Sequence, residues 1–531
     1  MHSTVLKGLA LVFALVIAAI LAAIVGLNDS HPGYELNLHI EPSMEQSTRP
    51  NHPFQAGFSA VDITPKVPDR WFDANDDAKY IAADGDSYDD VNGNGQFDAV
   101  WIAGFSNKRA ANGVHDAIWA RAAVFDDGQA RIAIVSLDVV GLLHEEVLDI
   151  RQSLPSALGV DYLLITSTHT HEGPDTIGIW GESIFQSGVN EAYQRRVRSG
   201  VIEAVNNAVE AMRPASLHVS QDLEGAEGLV ADSRQPEVFD LGLRTIRAVN
   251  NADQSTLGTL VVWANHPETV WSGNLLISSD FPHYVRRTVE QGIHNDQLVI
   301  DGVGGVAIYI NGAIGGLMTT APRHGIRHPF SEEIMHAPTF AKAEAQGISL
   351  GMLALRSMQN ATSVEQPQIS VRAKTVYLPL DNTKLTLAAV FGLVRKDFTG
   401  WNETRTEVAA IDIGPISIVA IPGEIYPELV NGGIVAPAGQ DYDTAPLEIP
   451  PIREMMAGQF KFIFGLANDE IGYIIPKSEW DVKAPFLYHA KKSPYGETNS
   501  FGSDTALILH KALKELLQES ETLSRQYDER Q

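Results

Sequence analysis

The sequence predicts a mixed α/β fold, and three observations carry that expectation. Apolar runs of strand length alternate with segments of helical period. The first folded stretch reads strand, strand, helix, strand, loop, helix. Three separate apolar strands end in polar residues, the way sites are built on α/β scaffolds.

The elements follow in order. AGFSAVDIT (Ala56 to Thr64) alternates as a strand and is stopped by Pro65. Next comes an acidic insertion, residues 73–98, rich in Gly and Asn. AIWARAAVF (Ala117 to Phe125) and RIAIVSLDVVGL (Arg131 to Leu142) read as strands around an Asp-Asp-Gly turn. HEEVLDIRQSL (His144 to Leu154) reads as a helix. YLLITSTHTH (Tyr162 to His171) reads as an apolar strand running into a polar loop. Residues Asn190 to Met212 have apolar spacing near 3.6 and predict a helix. Leu257 to Val270 is a strand ending in a polar loop. Residues 281–293 form a helix, and Val306 to Gly316 is a strand into a glycine loop. Phe340 to Met358 is a helix. Ile416 to Val430 is a strand, a Pro-Gly turn and a helix start, and an amphipathic helix closes the chain.

Composition bounds the function. The 531 residues are 44% hydrophobic and 20% charged, the balance of a globular protein with a large core. A net charge of −27 repels phosphate backbones, so nucleic acid is not an expected partner. With no cysteine, thiolate metal sites, a cysteine nucleophile and disulfides are excluded.

Residues Gly8 to Leu27 are uninterrupted apolar, preceded by Lys7 and followed by Asn28 and Asp29. A run of about 20 apolar residues is long enough to cross a membrane as a helix. The positive-inside rule then puts the chain after it outside the cytoplasm, periplasmic or at the cell surface. The alternative is a cleaved signal segment, which would leave the protein secreted. Residues 28–53, with four prolines, read as a linker. The folded domain is expected over 54–531.

Candidate chemistry lies at the strand ends. In Thr168-His169-Thr170-His171-Glu172-Gly173-Pro174, an extended backbone would project His169 and His171 from one face. His266 ends a second strand, and Glu424 follows the Pro-Gly turn. Taken singly, each is as well read as a satisfied structural residue. Together they suit a catalytic zinc site with three protein ligands. Tyr473 and Tyr495 are late tyrosines that read equally as packing residues. In the insertion, Asp90, Asn92, Asn94 and Asp98, with Gly95 between, have the first donors of an EF-hand-like calcium loop. Trp101 stands where the closing Glu belongs; Asp84, Asp86 or Asp89 could supply the missing carboxylate, and the alternative is a solvated acidic loop.

From Phe54 to about His510 the chain resembles the catalytic domain of the neutral (non-lysosomal) ceramidases. The motifs that carry the resemblance, in order, are AGFSAVDIT, GVHDAIWARAAVF, THTHEGP, the Asp-Ser-Arg at Arg234, WANHPET with ISSDF, IPGE, GYIIP and PYGETNSFG. The resemblance implies stacked mixed sheets flanked by helices. It implies zinc held by His169, His266, Glu424 and Tyr473, with His171 beside the metal. It also implies Arg234 near the scissile amide and Tyr495 steadying the oxyanion, with Tyr488 as a rival. The implied reaction is hydrolysis, by zinc-activated water, of the amide of an N-acyl sphingoid or related lipid. Gly316 stands where the family has its catalytic Ser, and no C-terminal β-sandwich is expected. These departures leave a non-ceramide amide or ester, or a metal-bearing surface protein without turnover, as the other readings.

Overall fold

Alternation along the strands decides the layering. In Arg131–Leu137, Ile132 and Ile134 face one apolar layer while Ala133, Val135 and Leu137 face another. A strand with apolar side chains on both faces needs cover on both. This computed structural model describes residues 29–42, 53–296, 298–318 and 324–528, with side chains up to 518.

The cover on one face is a second sheet. A nine-stranded mixed sheet holds Gln55–Asp62, Trp119–Asp126, Arg131–Leu137 and Tyr162–Ser167 on one side, and Arg213–Asp222, Leu243–Asn250, Thr256–Trp263 and Val306–Asn311 on the other. A six-stranded sheet is built on Ile369–Pro379, Glu403–Ile413, Ile416–Ala420 and Phe460–Phe464. Their facing side chains, among them Phe125, Ile246, Ile310, Ile411 and Phe462, form one core. Helices cover the outer faces. His144–Ser153 and Glu191–Glu210 lie on the first half of the large sheet, and Phe281–Gln291 and Phe340–Met358 on the second. Thr505–Asp528 lies on the smaller sheet. The stacked mixed sheets flanked by helices are therefore present.

The helices start where their caps allow. Asn190 accepts the N–H groups of Ala192 and Tyr193, and Thr339 accepts that of Lys342. The structure adds strands absent from the sequence reading, above all Ile369–Pro379 and Glu403–Ile413 at the centre of the smaller sheet.

Within 28–53, the stretch 29–42 is more than a linker. Asn37–Ile40 pairs antiparallel with Ile369–Pro379, and Leu36, Leu38 and Ile40 pack on the inter-sheet core. Asp29 pairs with Arg405 at 2.8 Å. Alternate apolar residues here form an edge strand, flanked by Pro32 and Pro42. The apolar run Gly8–Leu27 lies outside the described residues; among those described, no helix is long and apolar enough to cross a membrane. The acidic insertion is ordered. Arg70–Phe72 pairs with Ser87–Asp89, and Tyr80 packs on Phe97 with ring centroids 4.1 Å apart.

Candidate metal centre

Both sheets send residues to one place. His169 follows Tyr162–Ser167 and His266 follows Thr256–Trp263, both in the large sheet. Glu424 comes four residues after Ile416–Ala420 of the smaller sheet. A short parallel pairing, Glu424–Ile425 with Tyr473–Ile474, sets Glu424 directly opposite Tyr473.

The histidine loop is not extended, as the sequence reading had it. His169 has φ +66, the left-handed region that non-glycine residues rarely occupy. The turn still brings the His169 and His171 rings together, with centroids 4.8 Å apart. The loop is pinned by Thr168 N–H to Leu137 O and His169 N–H to Val139 O, at 2.8 and 3.0 Å. Asn311 donates to Thr168 O at 2.8 Å, and His171 N–H donates to Pro267 O at 3.0 Å, tying this loop to that of His266. Gly104 lies so close that a Cβ there would stand 2.4 Å from the His171 ring.

Four predicted ligands converge. Glu424 Oε2 is 2.9 Å from His266 Nε2 and 3.6 Å from His169 Nε2. Tyr473 Oη is 3.4 Å from His266 Nε2. The other ring nitrogens face backbone carbonyls: His169 Nδ1 lies 2.5 Å from Val140 O and His266 Nδ1 2.7 Å from Leu317 O. A carbonyl accepts, so each Nδ1 carries the ring proton and each Nε2 presents its lone pair to the shared space. That orientation of a metal-binding histidine is normally set by such outer contacts. The ring nitrogens of His169, His171 and His266 also lie within 4.8 Å of one another. Two imidazoles, a carboxylate and a phenol, with His171 alongside, suit a small divalent ion.

Burial governs the charges. Loss of hydration takes His169 down to about 3 and His171 well below the usual imidazole range, so both rings are neutral. Burial raises Glu424, but the neighbouring His169 and His266 imidazoles and the Tyr473 hydroxyl bring it below the ordinary carboxylate range. Tyr473 is pushed well above the phenol range by burial and by Glu424.

His169, His171, Glu424, Tyr473 and Tyr495 all line one cavity of about 300 Å³ with largely apolar walls, including Phe105, Trp180 and Phe501. Tyr495 sits at its rim, 60% exposed, with its ring 5.8 Å from that of Tyr473. Desolvation and Glu424 push its phenol up to about 12, so it keeps its proton. Tyr488 does not line this cavity; it belongs to the wall of a neighbouring one. Arg234 is also outside the metal cluster. Its guanidinium donates to Glu479 O at 2.8 Å and Glu497 Oε1 at 3.0 Å, and lies over the Tyr426 ring. It holds three buried carboxylates together: Glu428, Glu479 and Glu497.

Two supporting groups were missed in the sequence. Glu268 Oε2 is 3.3 Å from His171 Nδ1. Arg109, fully buried, pairs with Glu172 at 2.6 Å and donates to His171 O. Glu268 stands two residues after His266, and that proximity to a candidate ligand was the available signal. Arg109 offered none. Gly316 has φ +76, and a Cβ there would lie 2.9 Å from Asp232 Oδ1. The backbone itself thus selects glycine.

In the insertion, Asp90 accepts the N–H groups of Gly93, Asn94 and Gly95, at 2.7, 3.1 and 2.7 Å. Asn92 and Asn94 both reach Asp98 Oδ2. The four predicted donors are therefore brought into one exposed loop.

Comparison with known proteins follows the same lines. Residues 85–320 match the model of the neutral/alkaline non-lysosomal ceramidase N-terminal domain. A neutral ceramidase of Mycobacterium tuberculosis (strain ATCC 25618 / H37Rv) is 29% identical over 205 residues, covering 33% of this chain and 31% of that protein. The matched region thus spans about a third of that relative's length. The crystal structure of neutral ceramidase from Pseudomonas aeruginosa superposes with a TM-score of 0.62 at 15% identity, covering 88% of this chain and 74% of that one. A ceramidase complexed with C2 gives 0.60 at 15% identity, with the same coverage. At that identity the structures establish the shared fold. Over residues 85–320 the chain is similar in sequence to the N-terminal domain of the neutral/alkaline non-lysosomal ceramidases, and over most of its length it has the fold of the solved neutral ceramidase.

Proposed function

We propose that the chain is a zinc-dependent hydrolase that cleaves the amide bond of an N-acyl lipid. The observation that carries this is the convergence of His169, His266, Glu424 and Tyr473 at the end of an apolar cavity. Zinc bound there supplies Lewis acidity, polarising a carbonyl oxygen and acidifying water. The remaining chemistry belongs to the side chains. Glu268 lies 3.3 Å from His171 Nδ1, and the neutral His171 ring is placed to accept a proton and return it to the leaving amine. Tyr495, protonated at neutral pH, donates to the developing oxyanion. The apolar walls take the acyl chain and exclude water. Arg234 acts at one remove, fixing the glutamates behind Tyr426.

Gly316 favours a second reading of the substrate. No side chain is available there for a serine-like role, which supports an amide or ester other than ceramide. The apolar run 8–27 would tether the domain outside the cytoplasm, close to amphiphilic substrates. The Asp90–Asp98 loop would take calcium.

The test is metal quantification on the full chain beside a panel of N-acyl and O-acyl substrates that includes ceramide. Zinc with ceramide cleavage supports the first reading, and zinc with cleavage of other members only supports the second. Zinc without turnover leaves a metal-bearing surface protein. Full activity in metal-stripped protein defeats all three.

A further inference from the structure

Two cavities meet at Tyr473 and Tyr495. The inner one, about 300 Å³, is the apolar chamber that reaches His169 and His171. The outer one, about 750 Å³, adds charged residues to a wall of aromatic and apolar side chains: Arg234, Glu479, Asp481, Lys491 and Lys492. An amide held beside the two tyrosines, with its acyl chain inward, directs its amine-side half into the outer cavity.

The charges around that outer cavity are unequally engaged. Arg234 is held by Glu479 and Glu497. Glu479 is buried and also accepts Val435 N–H at 2.9 Å. Asp481 is buried and accepts Leu487 N–H at 2.9 Å. Lys491 and Lys492 are exposed on the cavity wall, and among the described residues neither ammonium has an ion-pair partner. His489 stands beside them on the same wall. On a chain of net charge −27, two unengaged cations on the wall of a cavity that reaches Tyr495 are free to attract an anion.

We infer that the amine-side half of the substrate carries an anionic group, a carboxylate, sulfonate or phosphate, which Lys491 and Lys492 hold in the outer cavity. This rests on the hydrolase reading above and narrows it to N-acyl amines with an acidic head.

Matched pairs of N-dodecanoyl amines, one with an anionic head and one with the same head as a neutral amide, test it on the full-length, metal-loaded protein. The expected result is a higher kcat/KM for the anionic member. The ratio falls about tenfold in K491Q/K492Q, through KM, and shrinks as salt screens the contact. Charge reversal in K491E/K492E is expected to shift the preference toward a matched cationic head. A wild-type ratio near one, or a ratio unchanged in both variants while the neutral substrate is still cleaved, overturns the inference alone. Cleavage of no member at all defeats the hydrolase reading and the inference with it. Lysine-dependent inhibition by inorganic phosphate, with no preference for the anionic substrate, would assign the lysines to a free anion and overturn the substrate assignment.

Discussion

His266 Nε2 lies 2.9 Å from Glu424 Oε2, across 158 residues of chain. The Leu317 carbonyl fixes the His266 ring proton on Nδ1, 2.7 Å away. Nε2 and the carboxylate oxygen therefore meet as two lone-pair bearers, which repel unless a cation stands with them. A second proton or a metal ion meets that need, and the nearby His169 nitrogen and Tyr473 oxygen complete a donor set fit for a metal.

Removing one donor should empty the site. His169→Ala and Glu424→Ala are each expected to lower metal affinity by at least about 100-fold and to lose activity together. Metal content by mass spectrometry beside turnover checks this, and activity retained in metal-free protein contradicts it.

Tyr495→Phe keeps the ring and removes one hydroxyl. Loss of an oxyanion donor lowers kcat by about 10²–10³. Metal content should stay at the wild-type level, since Tyr495 stands at the cavity rim. The same change at Tyr488, outside that cavity, should cost far less.

Gly316→Ser asks whether a hydroxyl at that position helps. The left-handed φ of +76 and the close Asp232 carboxylate work against it. Destabilisation of about 1–2 kcal/mol is expected, with no gain in turnover. Thermal melting and kinetics on the same preparation decide it.

His144 sets an acid limit. It is buried, with Nδ1 at 2.9 Å from Asn468 O, and burial takes its imidazole down to about 4. The folded value lies below the unfolded one, so the unfolded chain binds the proton first. Stability is full above about pH 6.5 and is lost as pH falls toward about 4, by up to roughly 3 kcal/mol. Melting temperature against pH should show this slope, flattened in His144→Gln.

The Asp90–Asp98 loop should bind calcium. At about 100 times the dissociation constant, binding would add about 2.7 kcal/mol to the stability of the folded state. Calcium should raise the melting temperature and a chelator reverse it, with Asp90→Ala insensitive to both. An identical melting temperature in chelator counts against the loop.

Much of this was legible beforehand, for local reasons. The helix Phe340–Met358 coincides with its sequence reading because 3.6-residue spacing is a local property. The central strand Ile369–Pro379 was missed although Ile369, Val371 and Ala373 alternate with Ser370, Arg372 and Lys374. Charged residues masked the alternation. Arg372 is in fact buried, with carboxylates of Glu41 and Asp412 beside it.

By itself the sequence determined the strand and helix periods, the polar residues at strand ends, and the motifs that mark its relatives. Each depends on neighbours a few residues apart. Only the tertiary structure decided that Glu424 of the smaller sheet meets His169 and His266 of the larger one, that Arg234 is spent on buried glutamates, and that two cavities share the tyrosines. Those outcomes follow from how two sheets stack, and side-chain positions across a stacked core are set by packing between distant segments, which no local pattern encodes.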